Sequence, residues 1–204
     1  MRYSNKKILI PISSPPKTYL SALSSVGLTP VCSFSESEVS NYGGLLLTGG
    51  EDILPAFYGS KIPFSEGNLI RDMREFTILE KFYSKKLPIL GVCRGLQIIN
   101  VFFGGTLKNV SSHQTKTKDL YHAVNPISEG FLKGFLSVNS SHHQAVDVLP
   151  TKAKNVLFSA DGIVEGFQIE NNILAVQFHP ERMDLSSIMK IYGSFANAVF
   201  NHVL

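Results

Sequence analysis

The chain has 204 residues, of which 44% are hydrophobic and 17% charged, with a formal net charge of +3. That length and balance suit one compact core and exclude a disordered or fibrous chain. The basic residues are scattered: Lys108, Lys116 and Lys118 form too thin a cluster for nucleic-acid binding, and no apolar run reaches membrane-spanning length.

In chain order, the first apolar run, residues 7–12, predicts a strand. It follows Met1 to Lys6 too closely, and is broken too soon by Pro11, to serve as a signal peptide, so a cytoplasmic setting is expected. A short helix over 18–26 closes at Gly27, and a strand over 29–34 carries Cys32, expected to be buried and inert. A leucine-rich strand over 44–48 runs into Gly49-Gly50. Ile70, Met73, Phe76, Leu79 and Phe82 recur at helical spacing and predict a helix over 70–83. An apolar strand over 87–90 leads through Gly91 to Cys93, and a helix over 96–103 is stopped by Gly104-Gly105. Strand, helix and strand in this order with short links imply a parallel α/β sheet. Strands over 156–159, 163–170 and 173–178, joined by Asp161-Gly162 and Asn171-Asn172, read as hairpins, and an amphipathic helix covers 186–200. No repeat or linker divides the chain, so a single domain over 1–204 is expected.

Gly91-Val92-Cys93-Arg94-Gly95 is a small-x-nucleophile-x-small pattern between strand and helix. Such a turn strains the nucleophile's backbone, needs glycines beside it, and lifts the thiol above the sheet at the positive end of a helix. His179-Pro180-Glu181 follows the last strand. In extended geometry His179 and Glu181 face one side, and a carboxylate beside an imidazole fixes its tautomer and stabilises its protonated form. Cys93 as nucleophile, His179 as base and Glu181 as orienter make a candidate triad. Cys32 and Cys93 are the only cysteines and give no sign of pairing.

Gly49-Gly50, Gly91-Val92-Cys93-Arg94-Gly95-Leu96-Gln97 and Phe178-His179-Pro180-Glu181 resemble the successive signatures of class I glutamine amidotransferases. Asn139-Ser140-Ser141-His142-His143-Gln144-Ala145-Val146, Tyr58-Gly59, Arg71-Asp72 and Glu75 bring the resemblance nearest to the gamma-glutamyl-gamma-aminobutyrate hydrolase branch, the C26 peptidases. It implies a flavodoxin-like α/β fold: a mainly parallel central sheet flanked by helices, with an antiparallel hairpin portion. It also implies hydrolysis of the gamma-glutamyl amide bond of a small metabolite through a glutamyl-thioester, releasing glutamate and an amine. The alternative it leaves open is a glutaminase subunit supplying ammonia to a synthetase partner.

By the same resemblance, backbone N–H groups at Gly50 and Arg94 form the oxyanion hole, and Gly49, Gln97, Ser140, Ser141 and His142 bind the glutamyl end. Asp52, Arg71 and Asp72 are expected to pin loops by ion pairs, and His113 and His122 to be solvated. No cofactor is implied, and no metal: the adjacent His142 and His143 lack a carboxylate or cysteine at ligand spacing. The implied partner is a small gamma-glutamyl substrate, with no nucleic acid and no membrane; a homodimer is compatible with the motifs, and a synthetase partner belongs to the alternative alone. The segments 60–70 and 108–121 are compact for this branch, the second carrying Lys108-Asn109 where an acidic residue is common. Both should wall the leaving-group side, so the amine can differ from gamma-aminobutyrate.

Overall fold

The structure is a computed structural model, and it describes residues 6–34, 39–59, 67–114 and 119–202. The expectations about Lys116 and Lys118, and most of the 60–70 segment, lie outside the described residues.

Five strands form a parallel half-sheet: β1 (Lys7–Ile10), β2 (Thr29–Cys32), β3 (Gly44–Leu47), β4 (Ile89–Val92) and, from much later in the chain, β11 (Ile173–Val176). Their spatial order is β2-β1-β3-β4-β11. Successive side chains in a strand point to opposite faces, and here both faces are apolar. Ile8, Ile10, Leu46, Leu90, Val92, Leu174 and Val176 meet one pair of helices, α1 (Lys17–Ser25) and α4 (Leu185–Asn201). Leu9, Leu45, Leu47, Ile89, Ile173 and Ala175 meet the other pair, α2 (Leu69–Ser84) and α3 (Arg94–Phe102). The α/β architecture expected from the sequence is the one observed.

The second half of the sheet runs antiparallel. From β11 it continues through β10 (Val164–Ile169), β9 (Ala153–Ser159) and β6 (Leu120–Asn125) to β7 (Ser137–Ser140). A separate two-stranded sheet pairs β5 (Thr106–Asn109) with β8 (Gln144–Val148). The two expected hairpin turns are present: Gly162 has φ +83°, and Ser159 N–H bonds the Ile163 carbonyl at 2.8 Å.

Local signals explain the helix ends. Asn68 caps α2, its side-chain oxygen accepting from Arg71 N–H at 3.1 Å, and Asp184 caps α4 by accepting from Ser187 N–H at 2.9 Å. Gly27 and Gly104, with φ of +78° and +89°, close α1 and α3.

Two expectations need correction. Cys32 is exposed, because β2 is the edge of the sheet and turns that side chain outward. His113 is buried and His122 is only partly exposed, because both turn toward the buried Glu165 of β10. Among the described residues, no helix is long and apolar enough to cross a membrane.

Candidate active site

The sheet order places β4 between β3 and β11, and all three run the same way. Their carboxyl ends therefore open on one crevice, where parallel α/β sheets bind ligands. Thr48-Gly49-Gly50 follows β3, Cys93 follows β4, and Gln177-Phe178-His179 follows β11. Residues from three distant stretches of sequence meet there.

Cys93 has φ 54° and ψ −106°, a backbone region that side-chain-bearing residues avoid. Its N–H still pairs with the Val176 carbonyl at 2.8 Å, so the ladder to β11 runs into the turn itself. The flanking glycines are steric necessities. A Cβ on Gly91 would lie 2.6 Å from the Gly95 carbonyl group, and one on Gly95 would lie 2.2 Å from the Leu47 carbonyl oxygen. The first N–H groups of α3, Arg94 among them, have no intrahelical acceptor. The Arg94 side chain leads the other way, buried against Asp72 and Glu75, and so anchors the start of α3 to α2.

His179 Nδ1 lies 2.7 Å from Glu181 Oε1, and the Cys93 sulfur acts on the same ring. Burial works against a charged imidazole here, but the Cys93 sulfur and the Glu181 carboxylate outweigh it and raise His179 to about 9. The expected pairing is thus present, although its geometry differs from an extended strand. Pro180–Arg182 is a single 3₁₀ turn, with Arg182 N–H bonded to the His179 carbonyl at 3.1 Å. Proline suits the first position of such a turn, and the turn, rather than i, i+2 alternation, swings Glu181 back onto the ring.

Three residues outside the expected set hold this arrangement. Asn139, fully buried, accepts from His179 N–H at 2.8 Å and donates to the His179 carbonyl at 3.1 Å, clamping its backbone from β7. Tyr19, from α1, accepts from Gly49 N–H at 3.0 Å and lies 3.3 Å from His179 Nδ1. Gln177 directs its amide nitrogen to Cys93 Sγ at 3.6 Å. Asn139 sits inside a quoted motif, so its neighbours pointed to it; Gln177 carried no signal beyond following a strand, and Tyr19, inside α1, carried none.

The Gly49-Gly50 turn is fixed by Arg71, which donates to the Gly49 carbonyl at 3.0 Å and pairs with Glu75 at 2.8 Å and Glu51 at 2.5 Å. A Cβ on Gly50 would fall 2.0 Å from the Arg71 guanidinium, which explains the glycine. Asp72 accepts from Leu54 N–H at 3.0 Å, and Asp52 pairs with His143 at 2.9 Å. These acidic residues and Arg71 do pin loops, as expected.

The resulting cleft of about 450 Å³ is lined by Cys93, His179, Gly49, Gly50, Ser141 and Arg182, among others. Gly49 and Ser141 thus reach it. The expected contacts of Gln97, Ser140 and His142 look different in the structure, for these side chains stand behind the wall. Gln97 donates to the Gln144 carbonyl at 2.9 Å, Ser140 donates to the His113 carbonyl at 2.8 Å, and His142 Nδ1 also meets the Gln144 carbonyl, at 3.0 Å. A larger groove of about 640 Å³ lies between α4 and residues 130–134, and none of the triad lines it.

Comparison with known proteins identifies the family and the fold. The peptidase C26 family model matches residues 15–181. A Schizosaccharomyces pombe protein with a glutamine amidotransferase name is 34% identical over 83% of this chain and 75% of its own length. The gamma-glutamyl-gamma-aminobutyrate hydrolase PuuD of Escherichia coli is 27% identical over 91% of this chain and 86% of its own. The fold matches that of a glutamine amidotransferase from Thermotoga maritima with a TM-score of 0.67 at 20% identity, covering 96% of this chain and 84% of that one. The chain belongs to the peptidase C26 family, hydrolases that act on C–N bonds.

Proposed function

We propose that this protein hydrolyses the gamma-glutamyl amide bond of a small metabolite, releasing glutamate and an amine. The observation that carries the reading is a cysteine on a strained elbow, paired with a histidine that is itself held by a buried carboxylate. His179 takes the thiol proton of Cys93, the sulfur attacks the amide carbon, and the oxygen that becomes negative takes hydrogen bonds from the N–H groups of Gly50 and Arg94. One such donor is worth about 10²–10³ in kcat. His179 gives its proton to the departing nitrogen, the C–N bond breaks, and a glutamyl-thioester remains. His179 then takes a proton from water, whose oxygen attacks the thioester; the C–S bond breaks, the thiol regains a proton, and glutamate leaves. Glu181 keeps the imidazole in register through both halves.

Gly49 and Ser141 line the cleft where the glutamyl end would lie, beside Arg182, whose guanidinium is paired with Asp119 at 3.1 Å. Gln97, Ser140 and His142 support the wall from behind. PuuD, by its name, acts on gamma-glutamyl-gamma-aminobutyrate, which favours the same bond with an amine left to be identified. A reducing, cytoplasmic compartment suits a thiol nucleophile.

The test is a panel of gamma-glutamyl amides assayed for glutamate release by the purified chain, with Cys93→Ser as control. Turnover of at least one amide by the wild type and none by the variant is expected. Ammonia release from glutamine alone, and only with a partner protein added, would support the glutaminase-subunit alternative and overturn this reading.

A further inference from the structure

Behind the pocket wall, three histidines from separate segments converge on one carboxylate. Glu165, on β10 and fully buried, places Oε1 2.9 Å from His122 Nε2, 3.5 Å from His113 Nδ1 and 3.9 Å from His142 Nε2. The outer nitrogens of two of these rings are already committed. His113 Nε2 lies 3.0 Å from Asp161 Oδ2, and His142 Nδ1 lies 3.0 Å from the Gln144 carbonyl oxygen. A carboxylate and a carbonyl only accept, so both outer nitrogens carry the ring proton. On neutral rings, the inner nitrogens of His113 and His142 then present lone pairs toward a carboxylate oxygen.

Ser140 does not relieve this, because its hydroxyl donates to the His113 carbonyl at 2.8 Å and shows only oxygen to His113 Nδ1 at 3.2 Å. A proton on His122 would satisfy one contact. His142 Nε2 and Glu165 Oε2 are buried and have no hydrogen-bond partner among the described residues. Lone pairs turned inward on a shared centre call for a cation.

We propose that His113, His122, His142 and Glu165 bind one divalent transition-metal ion of the zinc class. Ligand atoms around tetrahedral zinc stand about 3.3 Å apart, given bonds of about 2.0–2.1 Å. The three nitrogen-to-oxygen separations bracket that value, and the ligand atoms of His113, His122 and Glu165 all lie within 4.8 Å of one another. Asp161 and the Gln144 carbonyl supply the outer hydrogen bonds that usually orient metal-bound imidazoles. With His142 drawn in from 3.9 Å as the fourth ligand, the coordination sphere closes, and the ion is structural. It ties β6, β10 and the β7–β8 link together directly behind Ser141. The sequence hides this site: its donors are spread over more than fifty positions and no pair has the spacing of a zinc motif.

The test uses the untagged full chain carrying Cys93→Ser, which removes the catalytic thiol as a competing ligand. Protein purified from zinc-supplemented cells should hold one zinc per chain by plasma mass spectrometry. After stripping with a chelator, cobalt(II) should restore one equivalent with intense visible bands of tetrahedral coordination and no thiolate charge-transfer band. The melting temperature should fall on stripping and recover with zinc, and Glu165→Gln and His122→Asn should each weaken cobalt binding at least tenfold. A folded chain with only background zinc and no visible cobalt band would overturn the proposal in favour of a cluster held by protons. Cobalt binding unchanged in both variants would overturn it by placing the ion elsewhere. The measurements on the Cys93→Ser chain stand even where a further variant fails to fold.

Discussion

Asn139 lies outside the triad yet determines where its histidine stands. Its side chain satisfies both the N–H and the C=O of His179, at 2.8 and 3.1 Å, and its amide nitrogen also donates to Asp119 Oδ2 at 2.9 Å. Asn139→Ala leaves the buried His179 N–H unpaired, which costs about 1–3 kcal/mol, and removes one of the two hydrogen bonds to the His179 carbonyl, the other coming from Arg182 N–H, for about 1 kcal/mol more. The expected loss is about 3 kcal/mol, read from urea denaturation. At this chain length that corresponds to a melting temperature lower by roughly 6–12 °C. Because about 1 Å of displacement at a catalytic group costs on the order of 100-fold, kcat should fall with it. Asn139→Asp sharpens the case. It keeps the acceptor for His179 N–H but turns the donor into an oxygen facing the His179 carbonyl and the Asp119 carboxylate. It should be at least as harmful as alanine at neutral pH and recover in part as acid restores a proton. If Asn139→Ala loses less than about 1 kcal/mol and retains full kcat, the clamp is not what positions His179.

Three further outcomes follow from the site's geometry. Cys93 has φ 54°, so Cys93→Gly should be more stable than Cys93→Ala by about 1–2 kcal/mol in urea denaturation, though both are inactive; equal stabilities would show an unstrained elbow. Gly95→Ala would place a Cβ 2.2 Å from the Leu47 carbonyl oxygen, which is backbone and cannot swing aside, so a loss of about 3 kcal/mol or insoluble protein is expected, and a loss under about 1 kcal/mol would contradict the packing of α3 on β3. His179 should titrate near 9 by NMR in the wild type and lower in Cys93→Ser, since burial favours the neutral ring and the sulfur opposes it; an unchanged midpoint would mean the thiol and imidazole do not interact.

The parallel half of the fold was legible because its strands are buried on both faces and punctuated by glycines, as at Leu45 to Gly50. Cys93, His179 and Glu181 were legible because the elbow and the Pro180 turn are built from adjacent residues. The antiparallel half was less so. The 106–109, 120–125, 137–140 and 144–148 strands are polar or short, and their pairing is non-local, so period-2 alternation is weak in each. The same limit misplaced His113 and His122, whose polar neighbours suggest solvent while the fold turns both rings toward Glu165. Tyr19 escaped notice because its aromatic ring reads as a core residue, and only the tertiary packing carries its hydroxyl to Gly49. Cys32 was misjudged because edge and interior positions cannot be told apart in a four-residue strand.

The central claim is that Cys93 is an activated nucleophile, and the chain contains its own control. Cys32 is exposed, whereas Cys93 is 8% exposed. Limiting amounts of a glutamine-mimicking chloroketone, followed by peptide mass spectrometry, should give one adduct per chain, on Cys93, formed in step with loss of activity and abolished in His179→Asn. Labelling that follows exposure and falls first on Cys32, or that proceeds at Cys93 equally well without His179, would contradict the account.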